Sequence, residues 1–174
     1  MAMAAETNLA ERLCLACGLC CSGVLFRDVE LQAGDDSARL QALGLPLERL
    51  KRRTRFPQPC AALCEGNQCR LYQERPARCR QFECALFKAV LEQRVKTAAA
   101  LKTIQQARRA VDRVRALLRQ LGDLDEQLAL SRRFRRMQRR LESGGANRET
   151  AGVFADLSSA MHELNLLLRE KFLP

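Results

Sequence analysis

Four cysteines in eight residues, Cys14-Leu15-Ala16-Cys17-Gly18-Leu19-Cys20-Cys21, constrain this chain more than any other stretch. A second set follows at Cys60, Cys64, Cys69, Cys79 and Cys84, so all nine cysteines fall in the first half. A lone C-x2-C is ambiguous between a redox pair, a metal knuckle and chance. A CxxCxxCC run answered by five further thiols within 25 residues of one another points to metal ligation. Each C-x2-C spacing folds into a tight knuckle that aims two sulfurs at one ion, and Gly18 permits a left-handed turn there.

The 174 residues are 47% apolar, enough for a core. The cysteine-bearing segment, however, has few long apolar runs, and is not expected to close a stable core without an ion. Met1 to Leu13 lacks the basic and apolar regions of a secretory signal, and no run approaches the roughly 20 apolar residues of a membrane span. The expectation is a cytoplasmic protein with no membrane contact. In that reducing compartment structural disulfides are disfavoured, and an odd number of cysteines cannot all pair within one chain.

Between the two cysteine sets, Val24, Leu25, Phe26, Val29 and Leu31 predict a short strand or irregular apolar segment. Asp35-Asp36-Ser37 offers a cap for a helix from Ala38 to Leu43, ended by Gly44 and Pro46. A second short helix is expected from Leu47 to about Arg53, followed by a basic run through Arg55 that reads as a solvated turn or an anion contact. Glu65-Gly66-Asn67 is turn material that would return Cys60 or Cys64 towards Cys69. Pro76 marks a helix start, placing Cys79 and Cys84 near the beginning of a long helix whose free N–H groups favour thiolates. Arg70, Arg75, Arg78 and Arg80 are placed to offset the charge of a sulfur-bound ion.

These residues resemble the YkgJ-like cysteine-cluster family, a zinc- or iron-chelating class to which the flagellin lysine methylase is related. The matching elements are Cys14-x2-Cys17-Gly18-x-Cys20-Cys21, Phe56-Pro57-x-Pro59-Cys60, and Cys69-x2-Tyr72-x2-Arg75-Pro76-x2-Cys79-Arg80-x-Phe82-x-Cys84. Carried over position by position, the resemblance implies metal ligation by Cys14, Cys17, Cys20, Cys21, Cys60, Cys69, Cys79 and Cys84, with Cys64 outside the set as a free thiol or substitute ligand. It implies a metal without choosing one. Eight thiolates divide into two tetrahedral zinc sites, the simplest arithmetic for a structural role. Iron is the alternative: Cys14, Cys17 and Cys20 match the first three positions of a ferredoxin-like run, but position 24 is Val, so a [4Fe-4S] cluster would take its last ligand from the second block. Neighbouring Cys20 and Cys21 point apart and are not expected to serve one ion equally; spacing alone leaves the partition of ligands open.

Beyond Ala85 the chain reads as helix. Ile104, Ala107, Val111, Val114, Leu118 and Leu121 form one stripe ending at Gly122. Asp123 is expected to cap a second helix carrying Leu130, Phe134, Met137 and Leu141 and closed by Ser143-Gly144-Gly145, and Asn147 a third carrying Phe154, Leu157, Met161, Leu164 and Leu168. The predicted architecture is mainly α: a small irregular cysteine-rich, metal-bound domain over residues 1–88, then a helical extension over 89–174 forming an antiparallel bundle or coiled-coil hairpin.

Between Arg94 and Arg140, fourteen Lys or Arg face only Asp112, Asp123, Asp125 and Glu126, a balance of +10 equal to that of the whole chain. Arginines from Arg132 to Arg140 would form a ridge able to meet phosphates, although no base-stacking platform accompanies it. Solvated arginines paired in part with Asp156, Glu163 and Glu170 are the favoured reading. His162 is the single histidine, and with nine thiols present none is needed as a ligand. Three functions follow: a metal-binding protein whose extension mediates homodimerisation or protein recognition, which we favour; an iron-sulfur-dependent protein methyltransferase using S-adenosylmethionine; and a nucleic-acid adaptor.

Overall fold

Helix caps and cross-strand charge pairs organise the first half of the chain, and apolar stripes organise the second. The computed structural model describes residue 9, residues 12–145 and residues 148–173. It is mainly helical, with one small sheet, and divides into two units: Met1–Glu83 with Gln127–Ala129, and Cys84–Glu126 with Leu130–Pro174. No helix among the described residues is long and apolar enough to cross a membrane.

In the cysteine-rich unit, residues 12–17 are helical (α1). Strand β1 (Asp28–Glu30) follows, and then α2 (Ser37–Ala42), where Asp36 accepts from the Arg39 N–H as the sequence predicts. The helix expected from Leu47 is instead a hairpin of β2 (Glu48–Leu50) and β3 (Arg53–Pro57). β3 is central and antiparallel to both neighbours, giving the order β1-β3-β2.

The physical reason for that correction lies in the pairing. A seven-residue helix gains little on its own, whereas Arg55 on β3 stands opposite Glu30 and Glu48 in the two ladders and binds carboxylates from both flanking strands. Its Nε donates to Glu48 at 2.8 Å and its Nη1 to Asp28 at 2.9 Å. Arg53 also meets Glu30 at 3.7 Å, so much of the basic run is neutralised within the sheet. Phe56, Val29, Leu40, Leu45, Ala62 and Leu71 form the core beneath.

The single long helix expected around Cys79 and Cys84 is two short ones. α3 (Ala77–Gln81) ends when Phe82 turns to extended backbone and packs edge-to-face on Phe26, with ring centroids 4.9 Å apart. α3 also receives a cap that its own sequence does not supply: Asp35 Oδ1 accepts from the Ala77 N–H at 2.8 Å, while its Oδ2 accepts from the Gln32 N–H at 2.8 Å.

The helical unit begins with α4 (Ala85–Leu91), capped by Cys84. α5 (Thr97–Gln120) and α7 (Arg148–Lys171), 24 residues each, pack side by side through the predicted stripes. Arg94 and Val95, just before α5, line the same cavity as Glu170 and Lys171 at the end of α7, so the two helices run antiparallel. Leu118, Leu157, Leu164 and Val114 are fully buried at this seam. Leu118→Ala should therefore cost about 2–5 kcal/mol through lost burial and the cavity left behind. Chemical denaturation followed by helical circular dichroism checks this; a loss below about 0.5 kcal/mol would contradict the packing.

α6 (Leu130–Arg140) starts well after Asp123, which does not cap it. Asp123 is buried and paired instead: Arg133 donates to its Oδ1 at 3.0 Å and to its carbonyl at 3.1 Å, and Arg136 donates to Oδ2 at 2.8 Å. A buried carboxylate facing buried Arg133 gains more from that pairing than from a helix terminus. Arg136 also binds Asp125 at 2.9 Å, so Arg133 and Arg136 of α6 both draw on the preceding loop. Glu163 pairs with Arg113, and Glu170 with Lys171. The turn Leu141–Gly145 closes α6 where predicted. Asn147, expected to cap α7, lies outside the described residues.

Candidate metal centre

α1 carries Cys14 and Cys17 three residues apart, on one side of a short helix. The helix stops at Gly18, whose φ of +67° is the left-handed value expected at this knuckle. The Gly18 N–H donates to the Cys14 carbonyl at 2.9 Å, and its own carbonyl accepts from the N–H groups of Cys21 and Ser22 at 3.2 and 3.0 Å. Cys20 and Cys21 therefore lie on the turn that follows, not on the helix.

The second block is folded around the first. The Cys60 N–H donates to the Cys21 carbonyl at 2.8 Å, which joins the two backbones directly. Leu63 pairs with Cys69 in an isolated antiparallel bridge, and the Cys64 N–H donates to the Gln68 carbonyl at 2.8 Å. The turn Glu65–Asn67 thus returns Cys69 alongside the Cys60–Leu63 segment, as its composition predicts. Cys79 sits on α3. Cys60, Cys69 and Cys79 all pack, half-buried, against the same apolar core.

Electrostatics shows which sulfurs are close. Burial pushes the Cys21 thiol up from 9.0 to about 12, with Cys60, Cys69 and Cys14 adding in that order and Arg75 opposing. Burial likewise lifts Cys79 to about 12, with Cys21, Cys60 and Cys69 adding. Cys60 is raised by burial and by Cys69, against N–H donation from Ala62 and Leu63 and the charge of Arg70. Cys21, Cys60, Cys69 and Cys79 therefore form one mutually repelling group, with Cys14 at its edge. At Cys21, Cys60 and Cys79 the neutral thiol is favoured until a cation arrives.

Of the arginines expected to offset that charge, Arg70 and Arg75 do so. Arg75 lies over the Tyr72 ring, 3.8 Å from its centroid, and donates to the Tyr72 carbonyl at 2.9 Å, which fixes it beside the sulfurs. Arg70 donates to the Leu43 carbonyl at 3.1 Å.

Cys17 and Cys20 are half-buried, and Cys64 is exposed. Cys84 belongs to the helical unit, where its sulfur accepts from the Phe87 N–H at 3.4 Å at the α4 terminus. His162 is exposed on α7. Asn67 lies outside the cysteine pattern, yet its Nδ2 donates to the Leu15 carbonyl at 2.7 Å, inside the first knuckle. Its signal was only that of a turn residue.

The donor set suits a thiophilic cation in kind: soft sulfurs from two blocks, three of the second packed on one core, with Arg70 and Arg75 beside them. Among the described residues, no three Cys, His, Asp or Glu side chains are drawn into closed ligand geometry. The sulfurs are gathered as neighbours, not as a finished coordination shell.

Comparison with known proteins agrees with this chemistry. The family model described as "CxxCxxCC: Putative zinc- or iron-chelating domain" matches residues 13–108. The chain belongs to this family. No curated protein and no solved structure matches it.

Proposed function

We propose that this protein holds zinc through a four-sulfur centre made by Cys21, Cys60, Cys69 and Cys79, and that Cys14, Cys17, Cys20 and Cys84 complete the eight ligands implied by the cysteine pattern. The observation that carries the reading is that Cys60, Cys69 and Cys79 pack, half-buried, on one apolar core, with Cys21 tied to Cys60 through the backbone and coupled to all three sulfurs. It supports a partition that spacing alone left open. A bound cation would supply the attraction that four crowded sulfurs lack, so the role assigned to it is to fix the fold of the cysteine-rich unit.

Zinc is favoured over iron because four thiolates satisfy its tetrahedral preference without a redox partner. Metal analysis with visible absorption on protein purified without oxygen tests this. A colourless sample with zinc bound is expected; a brown sample carrying iron and sulfide would transfer the reading to a cluster, and metal-free protein with freely titrating thiols would remove it.

Acid should release the metal. Cys21 and Cys79 are protonated at neutral pH in the metal-free chain, being lifted to about 12, so each must lose a proton on binding. Lowering the pH restores the protonated form and weakens binding; raising it does the reverse. Apparent affinity should change by up to about tenfold per pH unit for each proton released. Chelator competition between pH 6 and 8, chosen to span about two such steps, checks the slope; a flat profile would contradict thiol ligation.

A further inference from the structure

We infer that Asn67 is a positioning residue for the metal centre, its side-chain amide latching the Cys14–Cys17 knuckle onto the turn that returns the chain from Cys64 to Cys69. The inference rests on the reading that these cysteines hold an ion, and it adds a residue that the cysteine pattern does not contain.

Three observations converge on this side chain. Asn67 Nδ2 donates to the Leu15 carbonyl at 2.7 Å across 52 residues. Leu15 lies between Cys14 and Cys17 in the last turn of α1, where carbonyls have no partner within the helix. A carbonyl can only accept, so the amide orientation follows. Second, a Cβ at Gly18 would fall 2.2 Å from Asn67 Oδ1 and 2.5 Å from its Cγ. Gly18 is therefore needed for two reasons: its backbone conformation, and the room it leaves for this amide. Third, Asn67 itself has φ +59°, a conformation that glycine adopts more easily than any other residue. The backbone alone would favour glycine at position 67, and the side chain accounts for asparagine.

The latch also completes a constraint that one bond could not make. The Cys60 N–H holds the Cys21 carbonyl, and Asn67 holds the Leu15 carbonyl, near opposite ends of the Cys14–Cys21 run. One tie would let that run pivot about it; two fix its direction relative to the second block. Sulfurs from both blocks must converge on one ion, so any pivot appears directly as ligand misplacement.

Asn67→Gly isolates the side chain, because it relieves the backbone and removes only the amide. We expect zinc affinity, measured by chelator competition on the full chain, to fall about tenfold or more, the usual penalty for losing an outer-sphere partner. The thiolate-to-cobalt charge-transfer band of the cobalt-loaded protein should weaken, with helical circular dichroism unchanged. Asn67→Asp keeps the shape but cannot donate, and should lose a similar amount. Gly18→Ala should fall at least as far, and adding Asn67→Gly to it should recover the part due to the clash, a non-additive result. Wild-type affinity and an unchanged cobalt band in Asn67→Gly, or strict additivity with Gly18→Ala, would overturn the latch while leaving the metal reading intact. Wild-type protein that takes up neither zinc nor cobalt would overturn the metal reading itself.

Discussion

Cys60→Ser is expected to lose tight zinc binding and, with it, the ordered structure of the cysteine-rich unit. Cys60 stands at the junction of the two blocks. Its N–H holds Cys21, its sulfur accepts from the Ala62 N–H at 3.4 Å, and it packs on the core beside Cys69 and Cys79. Structural zinc contributes about 10–16 kcal/mol in small thiolate domains, so removing one of four sulfurs should cost roughly 3 kcal/mol, more than a hundredfold in affinity. Serine preserves the size and the backbone bonds, which confines the change to the donor atom. Exposed Cys64, outside the pattern, is the internal control: Cys64→Ser should bind zinc like the wild type. Chelator competition with thiol titration reads both. Equal affinities for the two variants would remove Cys60 from the centre.

Asp123→Ala should destabilise the helical unit by about 3–5 kcal/mol, since it leaves the buried Arg133 guanidinium without its counter-charge. The side chains of Asp123 and Arg133 are 1% and 2% exposed, so water cannot take over the lost interactions. Replacing both residues, as Asp123→Ala with Arg133→Met, should recover much of the loss, because the orphaned charge rather than the missing bond dominates it. Arg136, at 44% exposure, can turn to solvent in either background. Denaturant unfolding of the three proteins provides the measurement. A single variant within about 0.5 kcal/mol of wild type, or a double variant no better than the single, would contradict this account.

How much of this was readable from the chain depended on whether the determinant was local. The α5 and α7 stripes are periodic and continuous, so Ile104 through Leu118 and Leu157 through Leu168 declared both helices and their buried faces. Asp36 as a cap and Glu65–Asn67 as a turn are likewise short-range effects. The β2–β3 hairpin is not legible locally, because Glu48 and Arg55 suit either a helix surface or a strand, and Asp28, distant in sequence, completes the pairing that decides between them. Asp123 is ambiguous for a similar reason: an aspartate ahead of a helical stretch has the chemistry of a cap, and its pairing with buried Arg133 depends on the folded chain. For the candidate centre, the cysteines announced themselves by spacing. Which sulfurs are neighbours could not be read, because it depends on backbone ties such as that between Cys60 and Cys21.

Asp35 gives one carboxylate oxygen to Gln32 and the other to Ala77, binding the approach to α2 and the start of α3 to a single side chain. Neither segment can shift without tugging the other, and α3 carries Cys79. A synthetic peptide of residues 58–84 would contain five of the nine cysteines yet arrive without this brace. Minimal fragments would therefore understate the grip of the intact protein on its ion.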